Sequence, residues 1–451
     1  MSSPAHALWA IDDPTCRRLA ARNRTPLFAY SPTVAHESYL RLRQALPQRV
    51  RLAYAVKANP LPQLLQLFAD LGASFDVASA GELQRVLDLD LPSSRIFFTG
   101  PGKRDSEIRS AVRLGVRLQA EGIEDLVRAD AAARELGLRS VAVNLRVQPL
   151  GVEESQDGHS ILGGSGPTAF GVDEEDLPEL LATARQLDRV RIEGLHGFAA
   201  SNERDAERLL ANHHRMLAIG RRLLSEHGLE LRQIDLGGGL GVPYSPEESP
   251  LDLARLGRGL GELLDRNPWF RGELILEPGR FLAAPCSVYL TRVVRTKTSR
   301  GERFAILDGG IHHLLRPLLT GQPFPVRRVG PGESSAPFLT TTRAGPLCTA
   351  LDRLGRVELP PLEAGDLLAL GQVGAYGATE AMVRFLDQPP APELWLADVA
   401  GDEEASAVQG TRQVKGSSPS PGSVLVNRQP ASSSSSANGS PLHGSSGSSG
   451  R

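Results

Sequence analysis

The sequence predicts an α/β protein, a parallel (β/α)8 barrel followed by a mostly antiparallel β domain. Between about residues 27 and 285, short apolar runs alternate with longer amphipathic segments, the pattern of parallel strands joined by helices. About eight such runs fall in roughly 250 residues, which is the size and repeat of a (β/α)8 barrel. After 285 the spacers shrink to Gly and Pro turns, as between antiparallel strands. An open, doubly wound parallel sheet shares the first two signs and stays open as the alternative at this stage.

Residues 1–26 are an N-terminal segment expected to pack on the β domain, and 27–285 are assigned to the barrel. Its candidate strands are Pro26–Tyr30, Val50–Val56, Ser74–Val77, Arg95–Thr99, Val141–Leu145, Ile192–His196, Gln233–Leu236 and Glu273–Leu276. Residues 286–400 form the expected β domain, with candidate strands Ser287–Val294, Arg303–Asp308 and Asp366–Leu370. From about 401 to 451 the chain turns to Ser, Gly and Pro, with too few large apolar residues to offset the entropy of ordering, so a disordered tail is expected.

With 41% hydrophobic residues the chain can bury a large core, and a net charge of -2 gives no electrostatic case for nucleic acid or an anionic membrane. No window approaches the length of apolar sequence that spans a bilayer. Cys16, Cys286 and Cys348 are isolated thiols with neither disulfide nor zinc spacing. These features point to a cytoplasmic protein with small-molecule or protein partners. His213-His214 and His312-His313 are adjacent pairs that face different ways on a helix or strand, so they read as surface or packing residues, and no metal site is assigned. Gly100-Pro-Gly-Lys103 lacks the upstream glycine and the following hydroxyl of a P-loop, so Lys103 reads as structural.

Barrel enzymes build their sites at the carboxyl ends of the strands. Lysine occurs only at 57, 103, 297 and 415, yet Lys57 closes the apolar run Arg51-Leu-Ala-Tyr-Ala-Val-Lys-Ala-Asn59. An ε-amine desolvated by apolar neighbours can shed its proton and attack an aldehyde, which a guanidinium cannot. Lys57 is thus a candidate aldehyde-binding lysine; taken alone, it reads as a strand-end lysine reaching for solvent. Further strand ends lead into His196-Gly-Phe-Ala-Ala-Ser201, which offers a flat ring and a hydroxyl, and into Gly237-Gly-Gly-Leu-Gly241, where no Cβ keeps a phosphate away. Glu277-Pro-Gly-Arg280 adds an acid that can keep a pyridine nitrogen protonated and a guanidinium suited to phosphate or carboxylate. Together these groups describe a site for pyridoxal phosphate (PLP).

YAVKANP at 54–60, FDVASAGEL at 75–83, DLGGGLGVPY at 235–244, EPGR at 277–280, GPLCTALD at 345–352 and GAYG at 374–377 resemble, in order, the alanine-racemase-fold PLP decarboxylases. That group includes diaminopimelate, ornithine and arginine decarboxylases. The resemblance spans about residues 25–390 and implies a PLP-binding barrel, a β domain and a head-to-tail homodimer with shared active sites. It implies that Lys57 is the Schiff-base lysine, that Ser201, Gly237, Gly238 and Gly239 hold the phosphate, and that Glu277 pairs with the pyridine nitrogen. Arg280 is implied to contact phosphate or the substrate carboxylate, Tyr376 to close over the cofactor, and Cys348 to return a proton from across the dimer.

Two segments depart from the family pattern. Phe198 stands where a histidine usually stacks on the ring, with Ala200 for a glycine. Members acting on basic amino acids place an acid after the catalytic cysteine, whereas Cys348 is followed by uncharged Thr349, leaving the distal-amine role absent or passed to Asp352. Arg316 is retained as the arginine expected to meet a substrate carboxylate. The expectation is a decarboxylase for an amino acid, free or carrier-protein-linked, without a distal cationic amine, closer to the secondary-metabolite and exopolysaccharide-cluster members. The alternatives are a catalytically silent homologue that binds a partner, a diaminopimelate decarboxylase-like enzyme, and a racemase on the same barrel.

Overall fold

The computed structural model describes residues 8–152, 166–330 and 336–396 and the backbone of 405–407. After β1 (Leu27–Tyr30) come β2 (Val50–Ala55), β3 (Ser74–Val77), β4 (Ile96–Phe98), β5 (Arg117–Ala120), β6 (Val141–Gln148), β7 (Val172–Asp173), β8 (Val190–His196), β9 (Gln233–Asp235) and β10 (Glu273–Leu276). Strands β2-β3-β4-β5-β6-β8-β9-β10 pair in parallel in that order, and β10 returns to β2. The β5–β6 pairing, Leu118 opposite Val143, completes the ring. A sheet closed on itself excludes the open doubly wound alternative.

Barrel strands are covered on both faces, inside by packed side chains and outside by helices, so they read as unbroken apolar runs. Ser74–Val77 and Ile96–Phe98 are buried at every position. The connecting helices begin on side chains that accept a free amide, with Ser31 taking the Val34 N–H, Ser79 the Glu82 N–H and Asp252 the Arg255 N–H. The helix Ala206–His227 ends on Gly228 at φ +65°, a left-handed stop that glycine adopts without steric cost.

The second sheet holds β11 (Ser287–Ser299), β12 (Glu302–Leu307), β13 (Val326–Val329), β14 (Leu339–Ala344), β15 (Arg353–Leu359), β16 (Leu367–Gly371), β17 (Glu393–Leu396) and β18 (Ala405–Ala407). Its pairings are antiparallel except β12–β14 and β1–β17. Strand β1, expected to open the barrel, lies here instead, antiparallel to β11 and parallel to β17. All four of its residues are buried, so composition could not tell it from a barrel strand. The strand it displaced is β5, where Arg117 and Gln119 break the apolar run that marks its neighbours.

Helix Asp13–Arg22 lays Cys16 and Leu19 against Val288, Leu290 and Leu367 of the second sheet. Arg327 pairs with Asp13 at 2.6 Å and covers the Trp9 ring at 4.0 Å. Barrel and second sheet belong to one unit spanning residues 1–408. Ala405–Ala407, within the stretch expected to be disordered, pair antiparallel with β17; 401–404 and 408–451 lie outside the described residues. Among the described residues no helix is long and apolar enough to cross a membrane.

Candidate active site

Strand β2 runs into a 3-10 turn, Val56–Ala58, and its middle residue Lys57 lines a cavity at the barrel's strand ends. Phe198 and Ser201 follow β8 into the same wall, Gly238 and Gly239 follow β9, and Glu277 and Arg280 follow β10. Tyr376 reaches it from the second sheet's side of the chain. Two hydrogen bonds fasten that segment to the lysine turn, from the Tyr376 N–H to the Ala58 carbonyl at 2.9 Å and from Asn59 Nδ2 to the Gly374 carbonyl at 2.8 Å. Tyr376 accepts a φ of +60° to sit there, a conformation that costs a non-glycine residue energy.

Lys57 Nζ lies 3.8 Å from Asp76 Oδ2 and 5.8 Å from the centre of the Phe198 ring. Burial pushes the amine's pKa down, but Asp76, with Tyr376 and Glu277, pulls harder, and the net shift is upward. The expectation that apolar flanks would free this amine of its proton is therefore reversed. Val56 and Ala58 flank it in sequence, but carboxylates face it in space.

Those acids divide their charge. Burial and the nearby Glu277 push Asp76 up to about 8 against the pull of Lys57 and the Thr99 hydroxyl, which donates to Asp76 Oδ1. Asp235 is raised well above the carboxylate range by burial and Glu277, although Gln119 Nε2 and the Gly237 N–H donate to it at 2.9 and 3.0 Å. Glu277 moves the other way: burial opposes its charge, yet His196, with Nε2 3.5 Å from Oε2, and Lys57 hold it ionised below the usual range. His196, Asp235 and Glu277 come from three successive barrel strand ends and converge within 4.8 Å. Sequence reading used Asp76 and Asp235 only as motif letters and His196 only as a ring. A lone acid inside the buried run Ser74-Phe-Asp-Val77 was the available signal.

The glycine run answers first to its neighbours. A Cβ on Gly237 would stand 2.3 Å from the Gly197 carbonyl oxygen, one on Gly238 2.6 Å from that of Glu277, and one on Gly239 2.4 Å from that of Ala200. Three strand-end loops thus close together only because the run is bare. Gly238 and Gly239 also face the cavity beside Ser201, while Gly237 is not among the residues lining it. Asn202, the end of the segment that begins at His196 and given no role from sequence, lines the same wall; its Oδ1 accepts the Val242 N–H and its Nδ2 is buried with no partner among the described residues.

Arg280 donates to the Tyr244 hydroxyl at 2.7 Å and lies 5.0 Å from the Tyr376 ring. Arg316 lies 4.7 Å from the same ring, is not among the residues lining the cavity, and pairs with Glu380 at 2.7 Å. Cys348 is exposed on the loop between β14 and β15 and is likewise not among the lining residues. Asp352, considered for the distal-amine role, accepts the Ile311 and Leu347 N–H groups on its two oxygens at 2.8 Å each and so fixes the loop that carries Cys348. Lys103, read as structural, is buried against Asp125 at 2.9 Å.

Residues 35–284 match the family described as pyridoxal-dependent decarboxylase, pyridoxal binding domain. The chain belongs to the pyridoxal-dependent decarboxylases. It is 31% identical over 395 residues to an L-glutamyl-[BtrI acyl-carrier protein] decarboxylase of Niallia circulans, covering 85% of this chain and 91% of that protein. It is 34% identical over 366 residues to a diaminopimelate decarboxylase of Neisseria meningitidis, covering 81% and 88%. The structure of Helicobacter pylori diaminopimelate decarboxylase complexed with L-lysine matches at a TM-score of 0.77 and 28% identity, over 86% of this chain and 95% of that one. This decarboxylase is a PLP-dependent carboxy-lyase acting on an amino-acid or carrier-linked aminoacyl substrate.

The residues present fit the cofactor. Glu277 Oε1 is buried with no hydrogen-bond partner among the described residues, as an acceptor for a pyridine N–H would be. Lys57 stands on the wall for the aldehyde, and Ser201 with Gly238 and Gly239 offers a hydroxyl and Cβ-free backbone for the phosphate.

Proposed function

We propose that this decarboxylase removes the α-carboxylate of an aminoacyl substrate whose distal end carries no ammonium, including one borne by a carrier protein. The engagement of Asp352 carries the proposal. It is the one acid in the segment 345–352, and both its oxygens are taken by backbone amides. Thr349 supplies no charge, and a distal ammonium buried without a partner would cost several kcal/mol. The carrier-linked glutamyl decarboxylase among the relatives supports the same reading.

PLP supplies the electron sink for the pair left when CO₂ departs. The chain does the positioning. Lys57 would hold the cofactor aldehyde until a substrate amine replaces it, Glu277 would keep a proton on the pyridine nitrogen, Phe198 would offer its ring as a stacking surface, and Ser201, Gly238 and Gly239 would seat the phosphate. Arg280 stands where a phosphate or substrate carboxylate would meet it. Cys348, exposed on its own chain, delivers a proton to the neighbouring site, which requires a homodimer with shared active sites. The cytoplasm suits three free thiols.

The test is CO₂ release from free L-glutamate, meso-diaminopimelate, L-ornithine and a glutamyl-loaded acyl-carrier protein. Substrates with an uncharged distal end should lead. The 34%-identical diaminopimelate decarboxylase favours a second reading, which wins if meso-diaminopimelate is the best substrate.

A further inference from the structure

We propose that Glu380 decides which distal groups this site accepts, by holding Arg316 in a self-neutralised ion pair behind Tyr376. The inference rests on the reading of this chain as a decarboxylase for substrates without a distal ammonium, narrows that reading to an uncharged distal end, and names the residue that enforces it.

Tyr376 lines the cavity, and the Arg316 guanidinium lies 4.7 Å from its ring. Arg316 is thus one ring away from the substrate space, where a guanidinium would naturally serve a second carboxylate. Its Nη1 meets Glu380 Oε2 at 2.7 Å, with the arginine side chain 3% and the glutamate 27% exposed. The arginine Nε is buried with no hydrogen-bond partner among the described residues, so the guanidinium keeps unused donor capacity. Its charge is engaged by Glu380 while that donor capacity remains.

The pair cancels in both directions. A substrate with a free distal carboxylate would have to displace Glu380 from Arg316, and one with a distal ammonium would have to displace Arg316 from Glu380. Either exchange breaks a charge-assisted hydrogen bond and leaves a partly buried charge alone. A distal carbonyl already masked as an ester, amide or thioester asks for neither exchange. Thioester is the form in which a carrier holds an acyl group, so a dicarboxylic amino acid would present its α-carboxylate for removal and its other carboxyl masked. Specificity of this kind works by penalising the competitor.

The experiment compares PLP-loaded wild type, Glu380→Gln and Glu380→Asp on L-glutamate and its γ-methyl ester. In wild type the ester should react with a much higher kcat/KM than free glutamate. Glu380→Gln should raise kcat/KM for free glutamate about ten- to hundredfold, the worth of one charged hydrogen bond, while ester turnover stays near wild type. Glu380→Asp should keep the wild-type preference. Calorimetric titration with glutarate gives a readout independent of turnover, with binding tighter in Glu380→Gln. Arg316→Gln, which leaves the acid unpaired, should turn the preference toward L-ornithine. The role of Glu380 is overturned if Glu380→Gln loads PLP and turns over the ester yet discriminates against glutamate and binds glutarate as wild type does. Wild type that decarboxylates meso-diaminopimelate and ignores the ester would instead overturn the substrate reading, whatever Glu380 does.

Discussion

Glu277 is the residue on which the electronics of the site turn. His196 at 3.5 Å and Lys57 hold it below the usual carboxylate range against burial, while burial and Glu277 itself push the neighbouring Asp235 upward. Glu277→Gln keeps the shape and removes the charge, so PLP should still bind while kcat falls by at least about 10²-fold, the range of one preorganised electrostatic contact. Unchanged kcat would show that this acid does not govern the ring nitrogen. At this scale Lys57, Phe198, Ser201 and Glu277 were legible because each closely follows a barrel strand, where such enzymes keep their chemistry. Asp76, His196 and Asn202 were not, because their meaning lies in convergence between strands far apart in sequence. Arg316 and Asp352 were visible as charges, but the groups that occupy them, Glu380 and two backbone amides, were not.

Elements set the limits within which those residues meet. Gly239 sits at φ +95° with the Ala200 carbonyl 2.4 Å from where a Cβ would be, so Gly239→Ala should destabilise the fold by about 1–3 kcal/mol and weaken PLP binding, read by thermal unfolding and cofactor titration. On the helix Ala206–His227, burial drives His213 down from the ordinary 6.5 to about 4. The folded protein keeps this imidazole neutral while the unfolded chain takes up a proton below about 6.5. Stability should therefore fall as pH drops from about 6.5 toward 4, by roughly 3 kcal/mol at 1.36 kcal/mol per unit of pKa. His213→Gln should flatten that acid limb in thermal melts across pH, and an unchanged limb would assign the acid sensitivity elsewhere. Strand prediction worked where both faces are apolar and failed at two informative places. Gln119 disguised β5 because its amide is committed to Asp235, and β1 looked like a barrel strand because burial does not reveal a pairing partner.

The whole molecule adds the question of how many chains make one site. Cys348 is exposed on a loop fixed by Asp352, while the cavity it would serve is built without it. If sites are shared, mixing inactive Lys57→Ala and Cys348→Ala proteins and allowing subunits to exchange should restore roughly a quarter of wild-type activity, since half the dimers would be mixed and each would own one intact site. No recovery after verified exchange would place both residues in the same chain's site. The order of fold units was readable from spacer texture, helices before 285 and turns after, but the tie between the lysine turn and Gly374 and Tyr376, which joins the two sheets at the cavity, became visible only in three dimensions.

The proposed covalent contact, between Lys57 and the cofactor aldehyde, is the one on which the roles proposed for the other site residues rest. Borohydride reduction of the PLP-loaded enzyme, followed by proteolysis and mass spectrometry, should place the pyridoxyl group on the peptide containing Lys57, and Lys57→Ala should take no label and release no CO₂. A label on Lys103 or Lys297, or undiminished CO₂ release by Lys57→Ala, would contradict the assignment of the site.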